Sequence, residues 1–133
     1  MAYLKFKELT QYFNFYKELD INELPTYVTD YVDKGETIEA VYSTLRDKCL
    51  FTDHKIVLFD RRGIFGKTKK IHYFPYKSIS STAIEYKTSS ITIHFSMDSG
   101  YQLKINFVRL TPEGKTKIRL LYSKMMERID NKL

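Results

Sequence analysis

The chain has 133 residues, 43% of them hydrophobic and 29% charged, with a net charge of +6. That is enough for one domain with a core that needs no metal or disulfide, and it excludes a disordered chain. No apolar run approaches the roughly 20 residues that cross a bilayer as a helix. Residues 1–20 carry no signal-peptide pattern, and the single cysteine, Cys49, cannot form an intrachain disulfide. The expected location is the cytoplasm, with peripheral contact to the inner face of the membrane as the alternative.

The charge is unevenly spread. Residues 1–40 carry a balance of −4, which leaves +10 for the remainder. Such asymmetry suits an acidic partner, such as an anionic membrane surface. It equally suits lysine-rich faces and strand edges that keep a β protein from aggregating.

In residues 5–19, Phe6, Leu9, Phe13 and Tyr16 recur at three- and four-residue intervals. That spacing predicts an amphipathic helix, with its apolar face laid on the chain itself, on a second copy or on a partner. A second, short helix is expected over residues 23–32, with Asn22 as N-cap, Pro25 in the first turn and Gly35 as the stop. From Glu36 the period changes to two. Strands are expected over residues 36–42, Lys48–Thr52, 55–60, 69–74, 80–87, Ile91–Met97 and 101–107. The continuous apolar run Ile56-Val57-Leu58-Phe59 predicts a strand covered on both faces. Asp98-Ser99-Gly100 reads as a three-residue hairpin loop with glycine in the left-handed position. Thr111 as N-cap and Pro112 at the first position open a C-terminal helix, whose stripe is Ile118, Leu121, Tyr122, Met125 and Ile129.

These elements predict a mainly β (α+β) fold. About seven antiparallel strands curl into a split barrel capped by the C-terminal helix, after a helical extension over residues 1–21. The domain proper is expected to span residues 22–133.

The sharpest candidate site is the basic loop after the third strand. Arg61, Arg62, Lys67, Lys69 and Lys70 cluster there, and Gly63 and Gly66 let backbone N–H groups approach an anion. Ile64 and Phe65 at its tip suit insertion into a membrane interface or contact with a protein. The competing reading is a structural turn whose apolar tip packs on the sheet. Tyr73, Phe74 and Tyr76 lie near Lys69, Lys70 and Lys77, yet their alternation fits a core-facing strand, so nucleic acid is not an expected partner. His54, His72 and His94 lack metal-ligand spacing, and Cys49 sits in an apolar strand. No catalytic group, metal, cofactor or small-molecule substrate is expected.

The run LRDKCLFTDHKIVLFDRRGIFGKTKKIHYFPYKSI carries a further signal. Arg46-Asp47, Phe51-Thr52, Asp60, Gly63/Gly66/Lys67 and Pro75-Tyr76 with Ile79 together resemble the bacterial pleckstrin-homology (PH)-like domain family, from about Glu23 to the C-terminal helix. The resemblance implies the PH-like fold, an interaction or scaffold module in place of an enzyme, and a homo-oligomer or a protein partner. The basic signature that eukaryotic phosphoinositide binders place between their first two strands is missing from Thr44-Leu45-Arg46-Asp47-Lys48. The expected function is therefore self-association through sheet edges or the N-terminal helix. The alternative is anionic lipid contact through residues 61–70.

Overall fold

The computed structural model describes residues 10–62 and 67–131, which fall into two compact units, Tyr16–Tyr76 and Met1–Phe15 with Lys77–Leu133. Phe6, Leu9, Gly63, Ile64, Phe65, Gly66 and the side chain of Arg62 lie outside the described residues. Nine strands are described, in two sheets, with a C-terminal helix. The mainly β architecture matches expectation. The strand number and one pairing direction do not.

In the unit Tyr16–Tyr76 the sheet order is β2 (Lys17–Glu18), β3 (Ile38–Ser43), β4 (Lys48–Thr52), β5 (Lys55–Arg62) and β6 (Thr68–Pro75), each antiparallel to the next. As the unbroken apolar run requires, Ile56, Val57, Leu58 and Phe59 are all buried. On one face Val41, Leu50, Val57 and Phe59 form a core cluster with Val28, and Leu19, Leu24, Tyr27, Val32 and Ile38 pack against it. The opposite side of the same strands buries Tyr42, Cys49, Phe51 and Leu58.

The segment that covers the first face is not the helix expected over residues 23–32. Leu24 precedes Pro25 and is held extended (φ −75°, ψ 142°), because the proline ring disfavours the helical region for its predecessor. The chain therefore makes a 3₁₀ turn, Ile21–Glu23, and only then a four-residue helix α1 (Thr26–Thr29) with Pro25 as N-cap. The cap of the 3₁₀ turn is Asp20, whose carboxylate accepts the Asn22 N–H at 2.9 Å; Asn22 itself is not the cap. Gly35 does adopt a positive φ of 85° before β3.

In the unit Met1–Phe15 with Lys77–Leu133 the sheet order is β1 (Thr10–Phe15), β9 (Gln102–Phe107), β8 (Ile91–Met97) and β7 (Ile79–Tyr86). Here the expected helix over residues 5–19 is corrected, since the described part of it is β1 and β2. The exposures show why. A helical stripe would bury Phe13 together with Tyr16, whereas Phe13 is 8% and Phe15 1% exposed with Tyr16 at 38%. That is period two, and threonine, tyrosine and phenylalanine favour strands. β1 runs parallel to β9, with Phe13 opposite Ile105 and Phe15 opposite Phe107, so the all-antiparallel meander is also corrected.

The β8–β9 hairpin is as expected, with Gly100 at φ 93° and the Met97 N–H donating to the Tyr101 carbonyl at 2.9 Å. Helix α2 (Pro112–Asp130) opens with the Thr111 hydroxyl accepting the Gly114 N–H at 3.0 Å and buries Ile118, Leu121, Tyr122 and Met125. Lys115 ties its first turn to the β7–β8 loop by donating from Nζ to the carbonyls of Lys87 and Thr88.

One buried charge holds the first unit together. The Lys55 ammonium lies 3.0 Å from Glu36 Oε1 and 3.2 Å from Asp33 Oδ2; the side chains of Lys55 and Glu36 are almost fully buried and that of Asp33 is exposed. Glu36 also accepts the Asp33 N–H at 2.7 Å and the Thr52 hydroxyl at 2.5 Å. Burial opposes ionisation of Glu36, but the hydrogen bonds from Thr52, Asp33 and Lys55 outweigh it and hold the carboxyl below its ordinary 4.5. Burial likewise opposes the charge on Lys55, and Glu36 and Asp33 outweigh it and raise the ammonium above its ordinary 10.5. The stability that Glu36 contributes is thus present above 4.5 and lost as pH falls through the folded-state value. That of Lys55 is present below 10.5 and lost as pH rises through its folded-state value.

Lys55→Ala is expected to lower the unfolding free energy at neutral pH by about 3 kcal/mol, the low end for a broken buried pair because the Asp33 arm is exposed. Urea titrations check this. Acidification below 4.5 should then weaken the wild type more than the variant, which has already lost the Lys55 contribution that holds the Glu36 carboxyl down.

Candidate functional site

The Asp53-His54 turn sets the register of β4 against β5, which brings distant cations onto one face of the sheet. Lys48 stands opposite Phe59, Phe59 opposite Ile71, and Arg61 opposite Lys69. This is the face that α1 partly covers. Phe59 is its apolar floor, met edge-on by Tyr27 at 5.7 Å and by Tyr31 at 5.5 Å between ring centroids. Such T-shaped pairs set the positive ring edge against the negative face, which orients both tyrosines.

Three cations lie over one ring of this aromatic cluster. Lys48 Nζ lies 5.4 Å, Arg61 Cζ 5.5 Å and Lys69 Nζ 5.5 Å from the centroid of the Tyr27 ring. The ring's quadrupole attracts each of them, by about 0.5–1 kcal/mol at an exposed site. Beside Tyr27 is a hollow of about 160 Å³ lined by Asp30, Tyr31, Phe59, Arg61, Lys69 and Ile71, with Asp60 and Lys70 also at its wall. The Arg61 end of β5 is fixed by Asp47, whose Oδ1 accepts the Arg61 N–H at 3.0 Å. Asp47 is positioned in turn by its own N–H donating to the Thr44 hydroxyl at 2.9 Å.

The structure therefore brings together Arg61, Lys69 and Lys70 of the expected basic cluster and leaves Lys67, exposed just before β6, outside the hollow. Phe13 is core, and Tyr16 is exposed beside β2. Lys48, Tyr27 and Tyr31 were not singled out from the sequence. Only the β4–β5 register and the short helix place them, although the Asp53-His54 turn gave a route to the first.

The histidines stand elsewhere. His72 Nε2 is 3.5 Å from Asp60 Oδ2, and His94 Nε2 is 2.7 Å from Gln102 Oε1. His54 Nδ1 lies 3.0 Å from Asp53, whose Oδ1 also accepts the Thr37 N–H at 2.9 Å. Donor atoms of Glu36, Asp53 and His54 come within 4.8 Å of one another, a grouping the sequence spacing did not reveal. Both Glu36 oxygens are already engaged by Lys55, Thr52 and the Asp33 N–H, so an ion there would have to displace a buried ammonium. Tyr73 is exposed with Lys55 Nζ 5.5 Å from its ring, whereas Phe74 and Tyr76 are buried. Among the described residues no helix is long and apolar enough to cross a membrane.

Two antiparallel-rich sheets with a C-terminal helix match the PH-like class of small domains. The chain belongs to the bacterial PH domain family, whose profile matches residues 9–129. It is similar to the uncharacterized proteins YjqA and YozO of Bacillus subtilis (strain 168). With YjqA it shares 35% identity over 82 residues, 62% of this chain and 62% of that protein. With YozO it shares 40% over 52 residues, 39% of this chain and 45% of that protein. The aligned stretches thus span under two thirds of both relatives. A crystal structure of a DUF1696 family protein with a pleckstrin-homology domain, from Shewanella loihica PV-4, superposes with a TM-score of 0.68 at 20% identity. It covers 84% of this chain and 95% of that one. A PH-domain-containing protein from Exiguobacterium sibiricum 255-15 gives 0.66 at 18% identity, covering 85% and 62%. These two show the shared fold.

Cys49 is fully buried in β4, and burial pushes its thiol well above the ordinary range. At neutral pH the native protein is expected not to react with an aromatic disulfide reagent, and to release one equivalent of thiol only on unfolding. Rapid stoichiometric release from the folded chain would contradict this packing.

Proposed function

We propose that the chain is a non-catalytic interaction module that self-associates through the edge of β7. The observation that carries this is the character of that edge. β7 is one of the two terminal strands of its sheet, β1 being the other; it is eight residues long, and its exposed positions Ser80, Ser81, Ala83, Glu85 and Tyr86 include no lysine and no proline. β6, which with the two-residue β2 ends the other sheet, carries exposed Lys69 and Lys70 and ends at Pro75. Lysine and proline on an edge discourage pairing, so β6 is guarded and β7 is open. A second copy laid antiparallel along β7 would pair backbone groups on both edges through one two-fold axis and cover Tyr86. The route through an N-terminal helix drops out over residues 10–18, which are strands. The non-catalytic part is supported by the full burial of Cys49, which keeps its thiol from acting as a nucleophile.

A second reading has its own observation. Lys67, Lys69 and Lys70 are exposed on the stretch that carries Arg61, a local positive field suited to contact with an anionic membrane surface.

Light scattering on the full chain at micromolar concentration tests the first reading. The expected mass exceeds the 15.8 kDa of one chain, and Ala83→Lys returns it to that value. A monomer mass for the wild type throughout, or undiminished association of the variant, overturns it.

A further inference from the structure

We infer that the outer edge of β6 is a docking strip for an extended, acidic segment of a partner protein, laid antiparallel along residues 68–74 with one apolar side chain seated in the hollow beside Tyr31. It uses neither the β7 edge nor a lipid surface, so it goes beyond both readings above.

The backbone supplies the first argument. Among the described residues β6 is paired on one side only, with β5, and it stays regular for eight residues up to Pro75. Backbone groups that point away from β5 are a template for one more strand. Alternation puts Lys69, Ile71 and Tyr73 on the α1 side of the sheet, level with Arg61, Phe59 and Val57, and Lys70 on the other. Ile71 and Tyr73 are exposed there, and so is Tyr31, whose ring meets Phe59.

The lysines that keep β6 from pairing with its own kind also select what it does pair with. β6 carries Lys69 and Lys70 and no acid, and Lys67 precedes it. Among the described residues none of these three forms an ion pair, in contrast to Lys55 in the neighbouring strand with its two carboxylates. Lys69 and Lys70 are consecutive and lie on opposite faces, so a strand that meets both needs two consecutive acids. A second copy does not offer them on either edge: its β6 brings like charges, and its β7 has Glu85 alone.

The hollow sorts what lies next to those acids. At about 160 Å³ it is below the roughly 300 Å³ at which drug-sized pockets begin, and it suits one side chain. Phe59, Tyr31 and Ile71 line it, while Asp30 and Asp60 stand at its wall with Arg61, Lys69 and Lys70. The two carboxylates oppose an anion inside the hollow. The acids of the partner therefore stay at the edge, and an aliphatic side chain beside Ile71 fills the hollow.

The probe is the capped heptapeptide Thr-Val-Thr-Ile-Glu-Glu-Thr, which in antiparallel register sets its isoleucine beside Ile71 and its glutamates beside Lys70 and Lys69. Its counterpart has lysines in place of the glutamates. Each is titrated into the isotope-labelled full chain and followed by NMR. The acidic peptide is expected to give saturable shifts on β6 and to slow hydrogen exchange at the β6 amides that do not donate to β5. Lys69→Glu/Lys70→Glu should weaken it about tenfold and bind the lysine peptide instead, as two favourable cross-strand pairs become unfavourable. Ile71→Ser should weaken it severalfold, and Ala83→Lys, on the β7 edge, should leave it unchanged. All four positions are exposed, so the fold is retained. No saturable shift on β6, equal affinity for the two peptides, or unchanged binding in the charge-reversed variant overturns the proposal. Shifts that map to β7 and vanish in Ala83→Lys overturn it in favour of the other edge. Flotation on phosphatidylglycerol vesicles that the charge reversal abolishes, with no peptide shift, assigns the lysines to a membrane surface and also overturns it.

Discussion

The edge-on packing of Tyr27 and Tyr31 against Phe59 is the contact on which the rest of the candidate site depends. Phe59 is buried in the cluster that α1 covers, so it fixes α1 to the sheet. Tyr27, set against it, is the ring over which Lys48, Arg61 and Lys69 all lie. Pro25 contributes from the chain side. By keeping Leu24 extended it delays the helix, and Tyr27 then falls on the second residue of α1. A continuous helix from Glu23 would turn a different set of side chains towards Phe59.

Two groups of charges in the same sheet have opposite logic. Lys55 is buried, paired with Glu36 and Asp33, and braced by Thr52, an arrangement in which every partner is satisfied from within. Such a group fixes register and serves stability. The cations over Tyr27 are nearer the surface, and Arg61 and Lys69 share the hollow with Asp30 and Asp60. That difference separates a structural ion pair from a charged hollow at the surface. It also explains why the two glycines of the basic loop are not needed to account for the convergence, which is built on strand residues.

Much of the fold was legible because its signals are local. β3 to β9 and α2 follow from period-two and period-3.6 patterns, bounded by Asp53-His54, Pro75, Asp98-Ser99-Gly100 and Thr111-Pro112. The N-terminal stretch misled because Phe6, Leu9, Phe13 and Tyr16 satisfy helical spacing while Phe13 and Phe15 satisfy alternation. Only pairing with β9, whose partner residues lie 92 positions on, decides between them. No turn signal announces a parallel partner at that distance. The site was half legible for the same reason. Arg61 and Lys69 face each other across a hairpin, so their cluster shows in the sequence, whereas Lys48 and Tyr27 arrive from other elements.

The convergence of three cations on one ring is the claim that most needs a direct measurement, and ring-current shifts supply it. In the proton spectrum of the free protein, the side-chain methylenes of Lys48 and Lys69 next to their charged ends, and the δ-methylene of Arg61, should resonate upfield of their ordinary positions. All three should return together in Tyr27→Leu. Ordinary shifts in the wild type, or upfield shifts that survive loss of the Tyr27 ring, would contradict the site.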